Sequence, residues 1–123
     1  MNKPLKVLVV DDEPDVVEIL SYNLSRENYL VYKAYNGSDG VRVAHEVHPD
    51  LVIMDIRMPG INGIEACRQM KQDDETKTIP VLFLTADADE YTTMNAIEAG
   101  GDHFITKPIR PQILMGMIAE LIR

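Results

Sequence analysis

Only one cysteine and no tryptophan occur in 123 residues. With Cys67 alone, neither an intrachain disulfide nor a cysteine-based zinc site can form, which fits a reducing compartment. Basic residues are scarce as well. Twelve Lys and Arg stand against 20 Asp and Glu, giving a net charge of −8 and a pI near 4.7. Such a surface repels phosphodiester backbones and anionic lipid, so direct nucleic-acid binding is excluded from the expected functions. No apolar run approaches the roughly 20 residues of a membrane-spanning helix. Met1 to Pro4 leads straight into a strand-like segment instead of the apolar stretch of a signal peptide. A cytoplasmic location without membrane contact is therefore expected. Repeats and low-complexity tracts are lacking too, and the length suits one domain with one core.

What is present is a series of short apolar runs that stop at polar residues. Leu5 to Val10 ends in Asp11-Asp12-Glu13-Pro14, with Pro14 placed to open a helix. Leu51 to Met54 stops at Asp55 and then turns through Pro59-Gly60. Pro80 to Leu84 stops at Thr85-Ala86, and the short run from His103 stops at Thr106-Lys107-Pro108. Unbroken apolar runs suit strands covered on both faces, as in parallel sheets. The segment Tyr29 to Tyr35 is more polar, as an edge strand would be.

Between the runs lie helical patterns. Val16, Val17, Leu20 and Leu24 share one face of the first helix, and Val41, Ala44 and Val47 one face of the second. Asn36-Gly37-Ser38 reads as the turn before that second helix. Asn62 to Glu65 has the form of a capping box, with Ile64, Cys67 and Met70 inward. Asp87 to Ala99 is a weakly amphipathic helix anchored mainly by Met94 and Ile97, and a last helix begins near Pro111. On that helix Ile113, Leu114, Met115, Met117, Ile118, Leu121 and Ile122 cover a wide arc, so Met115 with Ile122 is expected to meet a partner. His45 and His48 stand i, i+3 in the second helix but lack an evident third metal ligand, so they read as ordinary exposed histidines. Cys67 reads as a small core residue.

Five strands alternating with five helices predict an α/β domain with a doubly wound parallel sheet. The polar second strand at an edge favours the order 2-1-3-4-5, and ligands then sit beyond the carboxyl ends of the strands. At those ends stand Asp11 and Asp12, Asp55, Thr85 and Lys107. Three carboxylates gathered there repel one another, and a hard divalent cation relieves the repulsion; Mg²⁺ fits an all-oxygen site. An ion, a lysine and a hydroxyl beside a free carboxylate form the equipment of phosphoryl transfer, with Asp55 as an acceptor.

These residues resemble the signature of response-regulator receiver domains of two-component signalling. The match lies in Val10-Asp11-Asp12-Glu13, in Met54-Asp55-Ile56-Arg57-Met58-Pro59-Gly60, in Thr85-Ala86 and in Phe104-Ile105-Thr106-Lys107-Pro108. The resemblance implies a flavodoxin-like fold spanning residues 1–123 with the same 2-1-3-4-5 order, so the order is not an independent expectation. It implies that Asp55 accepts a phosphoryl group from a histidine kinase or a histidine phosphotransfer protein. It also implies that Asp12 and Asp55 ligate Mg²⁺, that Asp11 assists through water, and that the Arg57 carbonyl completes the set. A cis peptide before Pro108 is part of the same expectation. Thr85 would shift toward the phosphoryl group, with Ala86 small enough to let that happen, Phe104 would turn into the vacated space, and the last two helices would carry the change to an output domain or effector. No output domain is read in this chain. Arg57 and Asp87 match positions that tune dephosphorylation in the family, while Gly101 and His103 replace its more frequent Ala and Asp. The helix after Thr85 has no basic residue, which argues against the family's salt-bridged dimer and leaves an apolar homodimer open. Two rivals are an aspartate-nucleophile phosphatase, which would need an acid where Arg57 stands, and a receiver-like interaction module that is never phosphorylated. The expectation is a switch domain and not an enzyme.

Overall fold

The fully apolar runs occupy the middle of the sheet, where both faces are covered, and the more polar ones fall at its edges. The computed structural model describes residues 3–86 and 89–122. Its elements are β1 (Lys6–Val10), α1 (Pro14–Arg26), β2 (Leu30–Ala34), α2 (Gly37–Val47) and β3 (Leu51–Asp55), followed by α3 (Gly63–Lys71), β4 (Val81–Thr85), α4 (Glu90–Glu98), β5 (His103–Thr106) and α5 (Pro111–Ile122). All neighbouring strands are parallel, in the order β2-β1-β3-β4-β5. β3 and β4 are buried along their whole length, whereas β2 and β5 are partly exposed.

Strand alternation divides the core into two layers. Leu8, Val10, Val52, Met54, Val81 and Phe83 face α2, α3 and α4, meeting Ala44, Cys67, Met70 and Ala96. Val7, Val9, Leu51, Ile53, Leu82 and Leu84 face α1 and α5, meeting Leu20, Leu24, Leu114 and Ile118.

The structure revises several local expectations. Asn36 is the N-cap of α2, its side chain accepting from the Asp39 N–H at 2.8 Å, so Gly37-Ser38 belongs to the helix. α4 starts at Glu90 because Asp89 caps it through Thr92; Asp87 lies outside the described residues. Met94 and Ile97 do not anchor α4: both are more than half exposed, as is Tyr91, and Ala96 and Ala99 are the buried residues. Small residues win that face because the chain passes so close to Phe83. A Cβ on Gly101 would lie 2.4 Å from the Phe83 ring. In α5 the buried seam is Leu114, Ile118 and Ile122, spaced i, i+4, i+8. Ile122 is thus a core residue, Met115 is half-buried, and the exposed large side chain is Ile113.

The turn before β5, where Gly101 and His103 replace the family's more frequent residues, is clasped by the residue between them. Asp102 accepts the Val81 N–H on its carboxylate at 2.8 Å and donates its own N–H to the Val81 carbonyl at 3.0 Å.

Candidate functional site

Each strand of the centre hands its last residue to one crevice, and the ladder holds those residues in place. Just past β1, the Asp11 N–H bonds the Ala34 carbonyl at 3.2 Å. Asp55 closes β3, and the next residue is pinned by Ile56 N–H to the Leu84 carbonyl at 3.1 Å. Beyond β5, the Lys107 N–H bonds the Thr85 carbonyl at 2.8 Å. The β3–α3 connection folds back so tightly that a Cβ on Gly63 would meet the Asp55 carbonyl oxygen at 2.1 Å, and only glycine permits that approach.

Lys107 gathers the acids. Its Nζ stands 3.2 Å from Asp11 Oδ2, 3.4 Å from Glu13 Oε1 and 3.5 Å from Asp55 Oδ1. Asp11 also accepts from the Glu13 N–H at 2.9 Å. Asp11, Asp55 and Thr85 are all buried, Asp12 is half-buried, and Glu13, Arg57 and Ala86 are exposed. The peptide between Lys107 and Pro108 is cis. Phe104 stacks on Phe83 with ring centroids 6.1 Å apart, on the sheet face that carries α4 and not α5.

Charge is crowded here. Burial first, then the Asp11 charge, push the Asp55 carboxyl up to about 6, with Lys107 opposing. Burial also raises Asp11, against the Glu13 N–H and Lys107. Burial alone would lower Lys107, but the charges of Asp55 and Asp11 outweigh it and hold the ammonium above its ordinary value.

One carboxylate oxygen from each of Asp11, Asp12, Glu13 and Asp55 lies within 4.8 Å of the others. Four acids facing one ammonium leave an excess of negative charge, and every donor is a hard oxygen. That set fits Mg²⁺ and not a thiophilic ion.

Sequence reasoning brought Asp11, Asp12, Asp55, Thr85 and Lys107 to one place, and the fold puts them there. It missed the Glu13 side chain, which reaches a lysine 94 residues away. The nearest signal was its position directly after Asp12.

The family model for the response regulator receiver domain matches residues 7–119. The chain belongs to that family. Receiver domains are phosphoacceptor switches and not enzymes in the ordinary sense, and aspartyl phosphate and Mg²⁺ are characteristic of them. Solved structures similar to this receiver domain include a putative response regulator from Chloroflexus aurantiacus, 34% identical, covering 98% of each chain at a TM-score of 0.91. The Vibrio cholerae chemotaxis protein CheY4 is 25% identical, covers 97% of this chain and 99% of its own, and superposes at 0.92. The receiver domain of a signal transduction histidine kinase from Syntrophus aciditrophicus is 34% identical, covers 95% and 89%, and superposes at 0.87. Among the described residues, no helix is long and apolar enough to cross a membrane.

Proposed function

We propose that this receiver domain is a phosphorylation-driven signalling switch in which Asp55 accepts a phosphoryl group from the phosphohistidine of a kinase or phosphotransfer protein. The observation that carries the reading is the buried Asp55 carboxylate at the tip of the central strand, with further acids and the Lys107 ammonium at its side. An Asp55 oxygen attacks phosphorus, an O–P bond forms, the P–N bond to the donor imidazole breaks, and that imidazole leaves with a proton. Asp12, Asp55 and the Arg57 carbonyl would hold Mg²⁺, with Asp11 acting through water. The ion, when bound, neutralises charge on the transferring oxygens. Lys107 orients and neutralises the same group, and Thr85 donates a hydrogen bond to it.

Phosphorylation takes Asp55 from −1 toward −2 and adds acceptor oxygens. One extra charge about 4 Å from Lys107 gains roughly 4 kcal/mol at an effective dielectric of 20, and a charged hydrogen bond from Thr85 adds about 2 kcal/mol. Since Lys107 already pairs with Asp11, Glu13 and Asp55, the net gain is smaller. A shift from 1:99 to 99:1 takes about 5.5 kcal/mol, so these contributions are of the size a switch requires.

Thr85 moving toward the phosphoryl group opens space on the α4 face of the sheet, and Phe104 turns into it. Exposed Tyr91, Met94 and Ile97 of α4 and Ile113 of α5 support an output surface on the last two helices, either for an effector, for an output domain or for a second copy. The apolar hollow of Val16, Ile19, Leu20, Pro108 and Ile109, which borders Lys107, supports docking of the phosphodonor protein beside the site. A cytoplasmic setting accords with such partners.

The test is intact mass after treatment with phosphoramidate. With Mg²⁺ the wild-type chain gains about 80 Da, and without Mg²⁺ or in Asp55→Asn it does not. An unmodified wild-type chain under every competent donor overturns the reading.

A further inference from the structure

At the sheet edge opposite β5 lies a second patch of exposed apolar side chains, Tyr22, Leu30 and Tyr35. Four of the five tyrosines gather there, Tyr22 on α1 and Tyr29, Tyr32 and Tyr35 on and beside β2. β2 pairs with β1 alone. In that pairing the Leu30 N–H bonds the Leu5 carbonyl at 2.9 Å, and the Ala34 carbonyl accepts the Asp11 N–H at 3.2 Å. A parallel ladder uses alternate residues of each strand, so Leu30, Tyr32 and Ala34 turn their backbone groups inward. The N–H and C=O of Val31 and Lys33 therefore point out of the sheet. The side chains alternate as well: Tyr29 and Val31 pack on the α1 side, Tyr32 and Ala34 on the α2 side.

We propose that this edge is the seam of a homodimer, in which β2 pairs antiparallel with β2 of a second copy across a two-fold axis and joins two five-stranded sheets into one. The outward backbone groups fix the register. Val31 and Lys33 must supply the hydrogen-bonded pairs, so the alignment that overlaps the whole strand sets Val31 against Lys33 of the second copy. Tyr32 then stands on the axis against its own counterpart, and Tyr29 faces Tyr35 of the second copy. Centring one residue later would put the two Lys33 side chains opposite each other, which is destabilising. Aromatic cross-strand pairs strengthen the ladder. Tyr35 of the second copy also arrives on the α1 side beside Tyr29, at the mouth of a hollow of about 410 Å³ lined by Ser21, Tyr22, Ser25, Tyr29 and Lys33.

Charge points to a second copy as the occupant. Each chain carries −8, so two copies repel except where their surfaces are neutral. From Tyr29 to Tyr35 the one charged residue is Lys33, and Glu18 neutralises it at 3.0 Å. A lysine on an edge strand ordinarily keeps other strands away, and its pairing with Glu18 lifts that guard. A strongly acidic or basic partner strand gains nothing from this neutral strip, whereas a second copy brings the matching tyrosines. Two such strands with their flanking side chains bury on the order of 1,000 Å², the low end for a specific contact, so the association is weak. β5 lies at the far edge of the sheet, and the seam leaves the face of the last two helices uncovered. Dimer formation is therefore independent of the state of Asp55.

The test is sedimentation of the whole chain beside amide exchange and thiol trapping. A monomer–dimer equilibrium is expected between about 0.1 and 1 mM, the same in Asp55→Asn and tightening as salt screens the repulsion between copies. The Val31 and Lys33 amides then exchange about threefold more slowly, in proportion to the monomer that remains. Tyr32→Cys forms an intermolecular disulfide, because residues facing each other in a non-hydrogen-bonded pair stand about 4.5 Å apart at Cα. Leu30→Cys does not, since its counterpart is about 13 Å away. Cys67 is buried and does not compete. Val31→Pro, which removes an outward N–H and no bond to β1, weakens association by about tenfold or more. A monomer at about 1 mM, a dimer whose Val31 and Lys33 amides exchange as fast as in the monomer, or equal cross-linking of Tyr32→Cys and Leu30→Cys overturns the proposal.

Discussion

Glu13 is the residue whose surroundings say most about how the crevice is tuned. Its carboxylate is the one exposed acid of the group, and it faces Lys107. One charge about 6 Å away in water costs an anion about 0.7 kcal/mol, or roughly threefold in rate per donor charge. Glu13→Gln should therefore speed modification about threefold with monoanionic phosphoramidate and more with dianionic acetyl phosphate, the gap closing in high salt. Equal acceleration with both donors at low salt would refute an electrostatic role. Asp55 gives a second prediction. Its folded value is raised from 3.8 to about 6, so its contribution favours the folded state below about pH 4 and is lost as pH rises through 6. Denaturation of wild type and Asp55→Asn without metal should diverge over pH 4–7, the variant ending more stable by up to about 3 kcal/mol. A constant difference across that range would show that Asp55 titrates normally. The members of the crevice were legible in the sequence because chemistry-bearing residues interrupted apolar runs at matching points. The grip of Glu13 on Lys107 was not, because it depends on how two loops approach in space.

At the scale of elements, strands were easier to read than helix faces. β1, β3 and β4 declare themselves as unbroken apolar runs, and the N-cap of α3 follows from Asn62 and Glu65. α4 misled because its large apolar residues point outward while two alanines make the contact. The wide arc of α5 misled in part, since i, i+4 packing chose Leu114, Ile118 and Ile122. That arrangement isolates Gly116, which is exposed and would have nothing within 4 Å of an added Cβ. Gly116→Ala should stabilise the domain by about 0.5–1 kcal/mol, raising Tm by a few degrees; an unchanged or lower Tm would mean that α5 needs the glycine. Phe104 bears on the link between elements, because it lies on the α4 side of the sheet. Phe104→Ala should uncouple effector binding from phosphorylation while Asp55 is still modified. Binding that stays fully phosphorylation-dependent would exclude the Thr85 to Phe104 route.

For the molecule as a whole, the polar second strand pointed to a sheet edge and the family resemblance carried the full order, which sets the acids of β1 beside those of β3. What no pattern could supply was the company each exposed group keeps, as with His45, which pairs with Asp73 and Glu75 of the loop after α3. The arrangement also ties stability to the proposed function: the crowded acids that could hold a metal repel one another in its absence. Mg²⁺ at ten times its Kd should stabilise the wild-type fold by about 1.4 kcal/mol and Asp12→Asn much less. The most direct test of the central claim is to treat the Mg²⁺-loaded protein with phosphoramidate, reduce it with borohydride and map the peptides. An acyl phosphate is reduced to the alcohol, so homoserine is expected at position 55 and at no other aspartate. Homoserine at position 11 or 12, or at none, would contradict it.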